Sequence, residues 1–264
     1  MPIHYEKSDH IVLITLDRYE KRNALDVEHG MALLDAWKTF RDDDDAWVAI
    51  VTGVKTAFCA GGDLGTLGST SAMSRKTNDD FRNPFADENN ARWTLKNLDV
   101  FKPIIAAVNG HCIAGGFEMF GATDIRIAST QAFFQIAEPR RGLIAFGGTT
   151  SRLPRQLPWV HAMELLLTAD RIDAHRALEI GLINEVVQPE DLLNAAYRWA
   201  RRITQNAPLA VQAAKKSAVL AFRSTLQEGL LIEDRLGEGL FATEDSSEGI
   251  AAFLEKRAPV WKAR

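Results

Sequence analysis

The segment 107–118 has the residue types that chemistry on a carbonyl compound requires, because an apolar run leads into two glycines and then a carboxylate. Glycine lets the backbone approach a ligand closely, and the first N–H groups of a helix have no acceptor within it. Such groups can donate hydrogen bonds to an oxygen that becomes negative during a reaction. We therefore expect Gly115 and Glu118 to serve one reacting centre, at which an enolate forms.

A second glycine turn lies in the segment 57–64 and contains Gly61 and Gly62. If the backbone N–H groups of Gly62 and Gly115 converge, they form a two-donor oxyanion hole, in which losing one donor typically lowers the rate by ~10²–10³-fold. Either turn, taken singly, is also explained as a tight connection between a strand and a helix. Two such turns and two carboxylates together favour a catalytic site.

The second carboxylate is Glu138, which directly precedes Pro139. Proline disfavours a helical conformation in the residue before it, so Glu138 is predicted to be extended. The alternative to a catalytic role for Glu138 is a surface ion pair with Arg140 or Arg141. Glu118 likewise has an alternative role as a first-turn residue that complements the helix dipole.

Alternating strands and helices must position these residues. Apolar residues alternate along 11–17, which is the period of a half-buried strand, and recur at helical spacing along 27–40. Such alternation is typical of layered α/β folds. The same patterns predict strands at 47–52 and 104–109, and helices at 92–101 and 116–122. Residues 65–90 are rich in Ser, Thr, Asn, Asp and Gly and predict a long exposed loop that lines the site.

The chain becomes mainly helical after about Pro158. Asp173 is a predicted N-cap, Gly181 a predicted stop, and Pro208 suits a first helical turn. We therefore divide the chain into a core with the site at 1–157 and a helical region at 158–264. The helices of the second region are predicted at 160–167, 173–180, 191–205, 208–223 and 226–241.

Composition narrows the function classes. The 264 residues are 46% apolar and 25% charged with a net charge of −4, which is typical of a soluble globular protein and gives no reason to expect nucleic acid as a partner. Two cysteines without a CxxC pair or a Cys/His cluster predict neither a disulfide framework nor a metal site. No apolar run reaches the length of a signal peptide or a membrane span, so we expect a cytoplasmic protein without membrane insertion. His111 is expected to pack rather than catalyse.

The order and spacing of the motifs resemble the crotonase, or enoyl-CoA hydratase/isomerase, superfamily from about Ile11 to the C-terminus. The resemblance implies an α/β fold built as a spiral of ββα repeats, followed by a C-terminal helical trimerisation region. It also implies a homo-trimer or a hexamer made of two trimers. The segments that carry it are 21–25, 57–64, 102–110, 115–118, 124–128, 138–142, 167–172, 177–182 and 253–257.

The resemblance also implies where an acyl-CoA thioester binds. The thioester oxygen would lie against the amides of Gly62 and Gly115. Phe253 and Lys256 would approach the nucleotide of a CoA, including one held by a neighbouring subunit. CoA is then part of the substrate, and no further cofactor and no metal is implied. The residues expected to hold the CoA are Arg22, Ala24, Ala60, Gly61, Gly62, Asp63 and Leu64.

Glu118 and Glu138 occupy positions at which hydratases of this superfamily carry glutamates, so the resemblance favours an enoyl-CoA hydratase that adds water in the syn sense across the 2,3 double bond. Glu118 would activate the water and Glu138 would deliver a proton to Cα, each contributing about 10²–10⁴-fold. The sequence departs from the hydratase pattern at Ala137, at Pro139 and in the segment 144–148, which includes the bulky Phe146.

These departures keep other activities open. The segments 115–118 and 255–262 are similar to carnitinyl-CoA dehydratase-like members, which favours dehydration of an unusual β-hydroxyacyl-CoA as an alternative. A Δ3,Δ2-enoyl-CoA isomerase that uses Glu138 alone is a further alternative. A non-catalytic acyl-CoA-binding paralogue is the alternative outside the enzymes, and the presence of both glutamates argues against it.

Overall fold

The computed structural model describes residues 3–65 and 91–264 of the chain. The predicted loop at 65–90 lies outside the described residues, apart from Gly65. Within the described part of the chain, no helix is long and apolar enough to cross a membrane.

A six-stranded sheet forms the centre of the fold, in the order β1-β2-β3-β5-β7-β10. Strand β1 runs antiparallel to β2, and every other neighbouring pair is parallel. All six residues of β3 are buried, as expected of a central parallel strand that is covered on both faces. The strands are β1 (Ile3–Ser8), β2 (Ile11–Leu16), β3 (Val48–Gly53), β5 (Ile104–Val108), β7 (Ile125–Ser129) and β10 (Glu185–Val187).

A smaller sheet has the order β4-β6-β8-β9, in which only the pair of β8 with β9 is antiparallel. Three consecutive strand pairs, β3 with β4, β5 with β6 and β7 with β8, each place one strand in the larger sheet and the next in the smaller. This repeat confirms the predicted spiral. The smaller strands are β4 (Ala57–Cys59), β6 (His111–Ile113), β8 (Phe133–Gln135) and β9 (Ile172–Asp173).

Nine α-helices lie within the described ranges. The side chain of Asp26 caps α1 by accepting a hydrogen bond from His29 N, and Thr225 and Glu228 form a capping box at the start of α8. The helices are α1 (Val27–Asp42), α2 (Gly115–Phe120), α3 (Thr149–Gln156), α4 (Trp159–Thr168), α5 (Ala174–Glu179), α6 (Leu192–Thr204), α7 (Pro208–Ala221), α8 (Leu226–Leu240) and α9 (Glu244–Glu255).

The region after Pro158 is mainly helical, as predicted, and Asp173 caps α5. It also contributes β9 and β10 to the two sheets, and α6 packs its alanines against the larger sheet. The domain boundary near Leu157 stays a prediction.

The predicted helix at 92–101 is wrong. A short 3₁₀ turn covers Ala91–Thr94, and Leu95 and Asn97 then adopt positive φ angles of 59° and 57°, which end any helix. The apolar residues Leu95, Leu98 and Val100 are all buried. The apolar residues therefore belong to an irregular segment whose side chains are buried in the core, and not to one face of a helix.

Candidate active site

One cavity of about 110 Å³ brings together the four residues that the sequence singled out for chemistry. Gly62 and Gly115 line it with their backbone, and Glu118 and Glu138 line it with their side chains. The remaining wall is mostly apolar and includes Trp93, Ile113, Leu143 and Phe146. An apolar wall with a few convergent polar groups is the usual composition of a small-molecule site.

The first glycine turn is held by pairing with the loop before α1. Leu25 N donates to Gly61 O, and Asp63 N donates to Leu25 O, both at 2.8 Å. Asn23, which is fully buried, supports this loop by donating from Nδ2 to Ala57 O at 2.7 Å. Gly62 lies between the two paired residues, and its N–H has no acceptor within the described part of the chain.

The second glycine turn connects β6 to α2 through Ala114. Ala114 has φ 52° and ψ −125°, a sparsely populated backbone conformation that costs of order 1–3 kcal/mol and tends to occur at functional sites. Ala114 N donates to Gln135 O at 2.9 Å, which fixes the turn to β8. The next amide, Gly115 N–H, has no acceptor among residues 3–65 and 91–264.

The two turns touch each other, and glycine is needed where they meet. A Cβ atom at Gly61 would lie 2.8 Å from Gly115 N, and a Cβ atom at Gly115 would lie 2.6 Å from the Trp93 ring. Gly61 also has φ +90°, which side chains rarely allow. The structure thus places Gly62 and Gly115 on the wall of one cavity, which sequence alone did not establish.

Glu118 lies in the first turn of α2, and only 6% of its surface is exposed. One carboxyl oxygen, Oε1, accepts a hydrogen bond from Gly147 N–H. Gly147 has no room for a side chain, because a Cβ atom there would collide with the Glu118 carboxyl group. Burial, followed by the charge of Glu138, raises the pKa of Glu118 to about 8.

Glu138 is 8% exposed, and its Oε2 atom is buried without a hydrogen-bond partner in the described structure. Burial raises the pKa of Glu138. The alternative of a surface ion pair is wrong, because Glu138 forms no ion pair with either following arginine and Arg140 pairs with Asp170 at 2.6 Å. A buried carboxyl oxygen without a protein partner, on a residue that lines the cavity, is suited to hold a water or a substrate atom.

The prediction of an extended Glu138 is also wrong. Its φ and ψ are −59° and −44°, within the helical region. The reason is a turn that closes on its carbonyl, which accepts hydrogen bonds from Arg141 N at 2.9 Å and Leu143 N at 3.1 Å. These bonds outweigh the weak preference that the following proline imposes.

Sequence reasoning missed Arg152, which holds the parts of the site together. From α3 its guanidinium donates to four backbone carbonyls, Leu95 O at 2.8 Å, Thr94 O at 3.3 Å, Gly147 O at 3.4 Å and Glu118 O at 3.5 Å. Burial lowers the pKa of Arg152, while its positive charge favours the ionised form of Glu118. Helix α3 was not predicted, because Pro154 lies inside it.

The residues expected to hold CoA divide into two groups. The first group lies together and consists of Arg22, Ala24 and the segment 60–64. Ala60 N donates to Arg22 O at 3.1 Å, and Leu25 forms a β-bridge with Gly62. Phe253 and Lys256 do not line the cavity of Glu118 and Glu138, and Phe253 is 83% exposed beside a separate groove with Trp261. Their predicted contact with CoA stays a prediction.

The remaining candidate groups are structural. His111 is half-buried and packs on Phe133 with ring centroids 4.6 Å apart, as predicted for a packing residue. Cys59 and Cys112 are buried free thiols on neighbouring strands. Among the described residues there is no group of three or more His, Cys, Asp or Glu side chains suited to a metal ion.

Comparison with known proteins places this geometry in a family. The family model described as enoyl-CoA hydratase/isomerase matches residues 6–264. The (E)-benzylidenesuccinyl-CoA hydratase of Thauera aromatica is 38% identical over 263 residues, covering 99% of each chain. The carnitinyl-CoA dehydratase of Salmonella typhi is 35% identical over 270 residues, covering 99% of this chain and 98% of that protein.

Comparison with solved structures leads to the same family. The crystal structure of enoyl-CoA hydratase from Mycobacterium tuberculosis H37Rv has a TM-score of 0.89 and 34% sequence identity, covering 100% of this chain and 99% of that one. The fold, the motifs and the full-length matches lead to one assignment. The chain belongs to the enoyl-CoA hydratase/isomerase family.

Proposed function

We propose that this protein is an enoyl-CoA hydratase, a hydro-lyase that reversibly adds water across the 2,3 double bond of an acyl-CoA thioester. The observation that carries the proposal is the pair of buried carboxyl groups, Glu118 and Glu138, on the wall of the cavity that Gly62 and Gly115 also line. Hydration needs one group to take a proton from water and another to give a proton to carbon. A pair of carboxyls provides both.

In this proposal, the Gly62 and Gly115 amides bind the thioester oxygen. Neither N–H group has an acceptor among the described residues, so a ligand oxygen can accept from them without breaking a bond seen there. When hydroxide adds to Cβ, the electron pair moves to the carbonyl oxygen and forms an enolate. Donors already held in place stabilise that charge, each worth about 10²–10³-fold in rate. In this proposal the two amides bear the enolate charge and CoA belongs to the substrate, so the mechanism uses no metal and no further cofactor.

The glutamates move the protons. Glu118 as a carboxylate takes a proton from the water whose oxygen bonds to Cβ, and Glu138 in its acid form gives its proton to Cα of the enolate. We propose that both glutamates act from one face of the double bond, so that both additions occur on that face. The product is a β-hydroxyacyl-CoA, and the pair ends with the proton on Glu118.

The pKa values support a pair that shares one proton at neutral pH. The raised pKa of Glu118, about 8, favours the proton on Glu118 in the empty site. Hydration starts from the other arrangement, with the proton on Glu138. Both arrangements carry the same total charge, so a water between the carboxyls can exchange them, and the pair titrates as a unit.

We further propose that Arg22, Ala24 and the segment 60–64 bind the CoA moiety, and that the protein is a cytoplasmic homo-trimer or a hexamer of two trimers. Helices α8 and α9 support an assembly, because large apolar side chains on them are exposed. Phe253 and Lys256, which lie away from the cavity of their own subunit, are then proposed to reach the CoA of a neighbour. The exposed apolar residues include Leu226, Leu230, Leu231, Ile250, Phe253 and Leu254.

Dehydration of a β-hydroxyacyl-CoA is the second candidate, because the carnitinyl-CoA dehydratase relative matches the chain over its full length. It uses the same groups in reverse. Glu138 removes the α proton, the amides hold the enolate, and Glu118 protonates the departing hydroxyl group. An isomerase would need Glu138 alone.

The test offers crotonyl-CoA and a 3-enoyl-CoA to the wild type, Glu118→Gln and Glu138→Gln. We expect the wild type to add water to crotonyl-CoA, and either substitution to lower kcat by about 10²–10⁴-fold while the protein stays folded. Migration of the double bond that survives Glu118→Gln would instead identify an isomerase. Binding of acyl-CoA without turnover of any enoyl or β-hydroxyacyl thioester would identify a non-catalytic paralogue.

A further inference from the structure

Arg141 is the basic side chain on the wall of the active-site cavity, and no other lysine or arginine from the described ranges lines it. Its neighbour Arg140 faces away and forms an ion pair with Asp170 at 2.6 Å. Two adjacent arginines in the 3₁₀ turn Pro139–Arg141 therefore have different surroundings. One is paired with an acid, and the other is turned toward the substrate cavity.

One hydrogen bond fixes the Arg141 guanidinium, and its other N–H donors remain available. Its Nη1 atom donates to Ala137 O at 2.9 Å, which fixes the side chain against the backbone next to Glu138. No carboxylate lies within 4.0 Å of it among the residues that the structure describes, and its other N–H groups have no partner there. Arginine has five donors in a planar fork, so two parallel hydrogen bonds to a carboxylate remain available.

Arg141 lines the same cavity as the four residues proposed to hold the reacting part of the substrate. The thioester end is placed by Gly62 and Gly115, and the reacting carbons by Glu118 and Glu138. Leu143 and Phe146 give the same cavity an apolar wall, and Arg141 lines it as well. An uncharged chain would leave the guanidinium in water, whereas a carboxylate at that position would pair with it.

We propose that Arg141 is a specificity residue that binds a carboxylate on the acyl chain, so that the preferred substrates are 2-enoyl-CoA thioesters of dicarboxylic acids. This inference rests on the proposed hydratase function. Arg141 is exposed, so water screens the pair and its expected contribution is about tenfold in kcat/KM. In the same proposal, the carboxylate at the end of the acyl chain stays outside the apolar part of the cavity and so keeps its hydration.

The experiment measures a selectivity ratio. Glutaconyl-CoA, a 2-enoyl-CoA with a terminal carboxylate, and its homologue with one more methylene are each compared with the corresponding methyl ester. The ratio of kcat/KM for acid and ester is determined for the wild type, Arg141→Gln, Arg141→Lys and the matched control Arg140→Gln. Any effect of Arg141 on the charge of Glu138 acts on acid and ester alike and cancels in the ratio.

We expect the wild type to prefer at least one acid over its ester, and Arg141→Gln to lower that preference about tenfold. Arg141→Lys should restore part of the preference. The control Arg140→Gln should leave it unchanged. An equal change of KM for acid and ester would mean that Arg141 binds the CoA moiety, and would overturn the inference. So would a wild-type ratio that Arg141→Gln does not change. Hydration of the esters by the wild type tests the proposed function separately, because it does not need Arg141 to select an acid.

Discussion

The two ends of the active-site cavity are built differently. At the reacting end, Glu118 and Glu138 are 6% and 8% exposed. At the outer rim, Leu143 lines the cavity and is 44% exposed, and the next residue, Ile144, is 63% exposed. The reacting end is buried by the fold itself, and the rim is a short exposed segment. We therefore expect the fold to determine the reaction and a few rim residues to select the acyl chain.

The reacting end and the rim of the cavity also differ in the hydrogen bonds that hold them in place. Three separate parts of the chain fix the reacting end, through the pairing of Leu25 with the first glycine turn, the bond of Ala114 N to Gln135 O, and the Arg152 bridge to backbone carbonyls. The rim is attached by single contacts, such as the bond from Lys96 Nζ to Phe146 O at 2.6 Å. Substitutions at the two ends should therefore have effects of different size and kind.

The largest effect is expected from the carboxyl pair. Glu118→Gln and Glu138→Gln each keep the shape of the side chain but remove a proton-transfer group, so kcat for crotonyl-CoA should fall by about 10²–10⁴-fold. Acyl-CoA affinity, measured by calorimetry, should change much less, because neither carboxyl binds the CoA moiety. A similar loss of affinity and kcat would show that the glutamates shape the cavity rather than catalyse.

The glycine turns should come next. Gly115→Ala places a Cβ atom against the Trp93 ring and displaces one oxyanion donor, so kcat should fall by about 10²–10³-fold. Gly237→Ala is the matched control, because its α8 position has open space. The control should keep full activity. Thermal unfolding of both variants should be compared, and full activity in a folded Gly115→Ala protein would contradict the assignment of the oxyanion hole.

The pH dependence tests the shared proton. As the pH rises through about 8, the pair loses its last proton, no acid remains for Cα, and kcat/KM should fall by about tenfold per pH unit. On the acid side, activity should fall as the pair takes up a second proton, since the carboxylate that accepts from water is then lost. A pH–rate profile for a neutral enoyl-CoA measures both limbs. A flat profile up to pH 10 would show that the pair is not the acid and base.

The smallest effect is expected at the rim. Ile144→Ser removes an exposed apolar side chain, so stability should change by no more than about 0.5 kcal/mol and kcat for crotonyl-CoA should change only a few-fold. Relative kcat/KM along a series of acyl-chain lengths is the sensitive readout. A loss of kcat as large as that of Gly115→Ala would remove the contrast between the two ends.

How far the sequence predicts this site depends on whether the signal is local. The glycine turns, Glu118, most of the described helices and the three strands β2, β3 and β5 were predicted, because each rests on periodicity or turn chemistry within a few residues. The short strands β4 and β6 carry no such period and were missed. Their pairing is what brings the turns of Gly62 and Gly115 together.

Other parts of the site depend on contacts between distant segments. Trp93 packs against the Gly115 turn, and Gly147 donates to Glu118. Arg152 connects the segments of Leu95 and Gly147. None of these residues has a local sequence pattern that indicates its partner. Glu138 shows the converse. Its local proline signal predicted an extended backbone, and the hydrogen bonds of the following turn overrode it.

The central claim is that the Gly62 and Gly115 amides bind the thioester oxygen beside the two glutamates, and infrared difference spectroscopy of a bound ligand tests it most directly. A non-reacting acyl-CoA labelled with ¹³C at the thioester carbonyl would be bound to the wild type, Glu118→Gln and Gly115→Ala. The account predicts a carbonyl band shifted to lower frequency in the wild type and in Glu118→Gln, and a smaller shift in Gly115→Ala. A band at its solution frequency in the wild-type complex would contradict the claim.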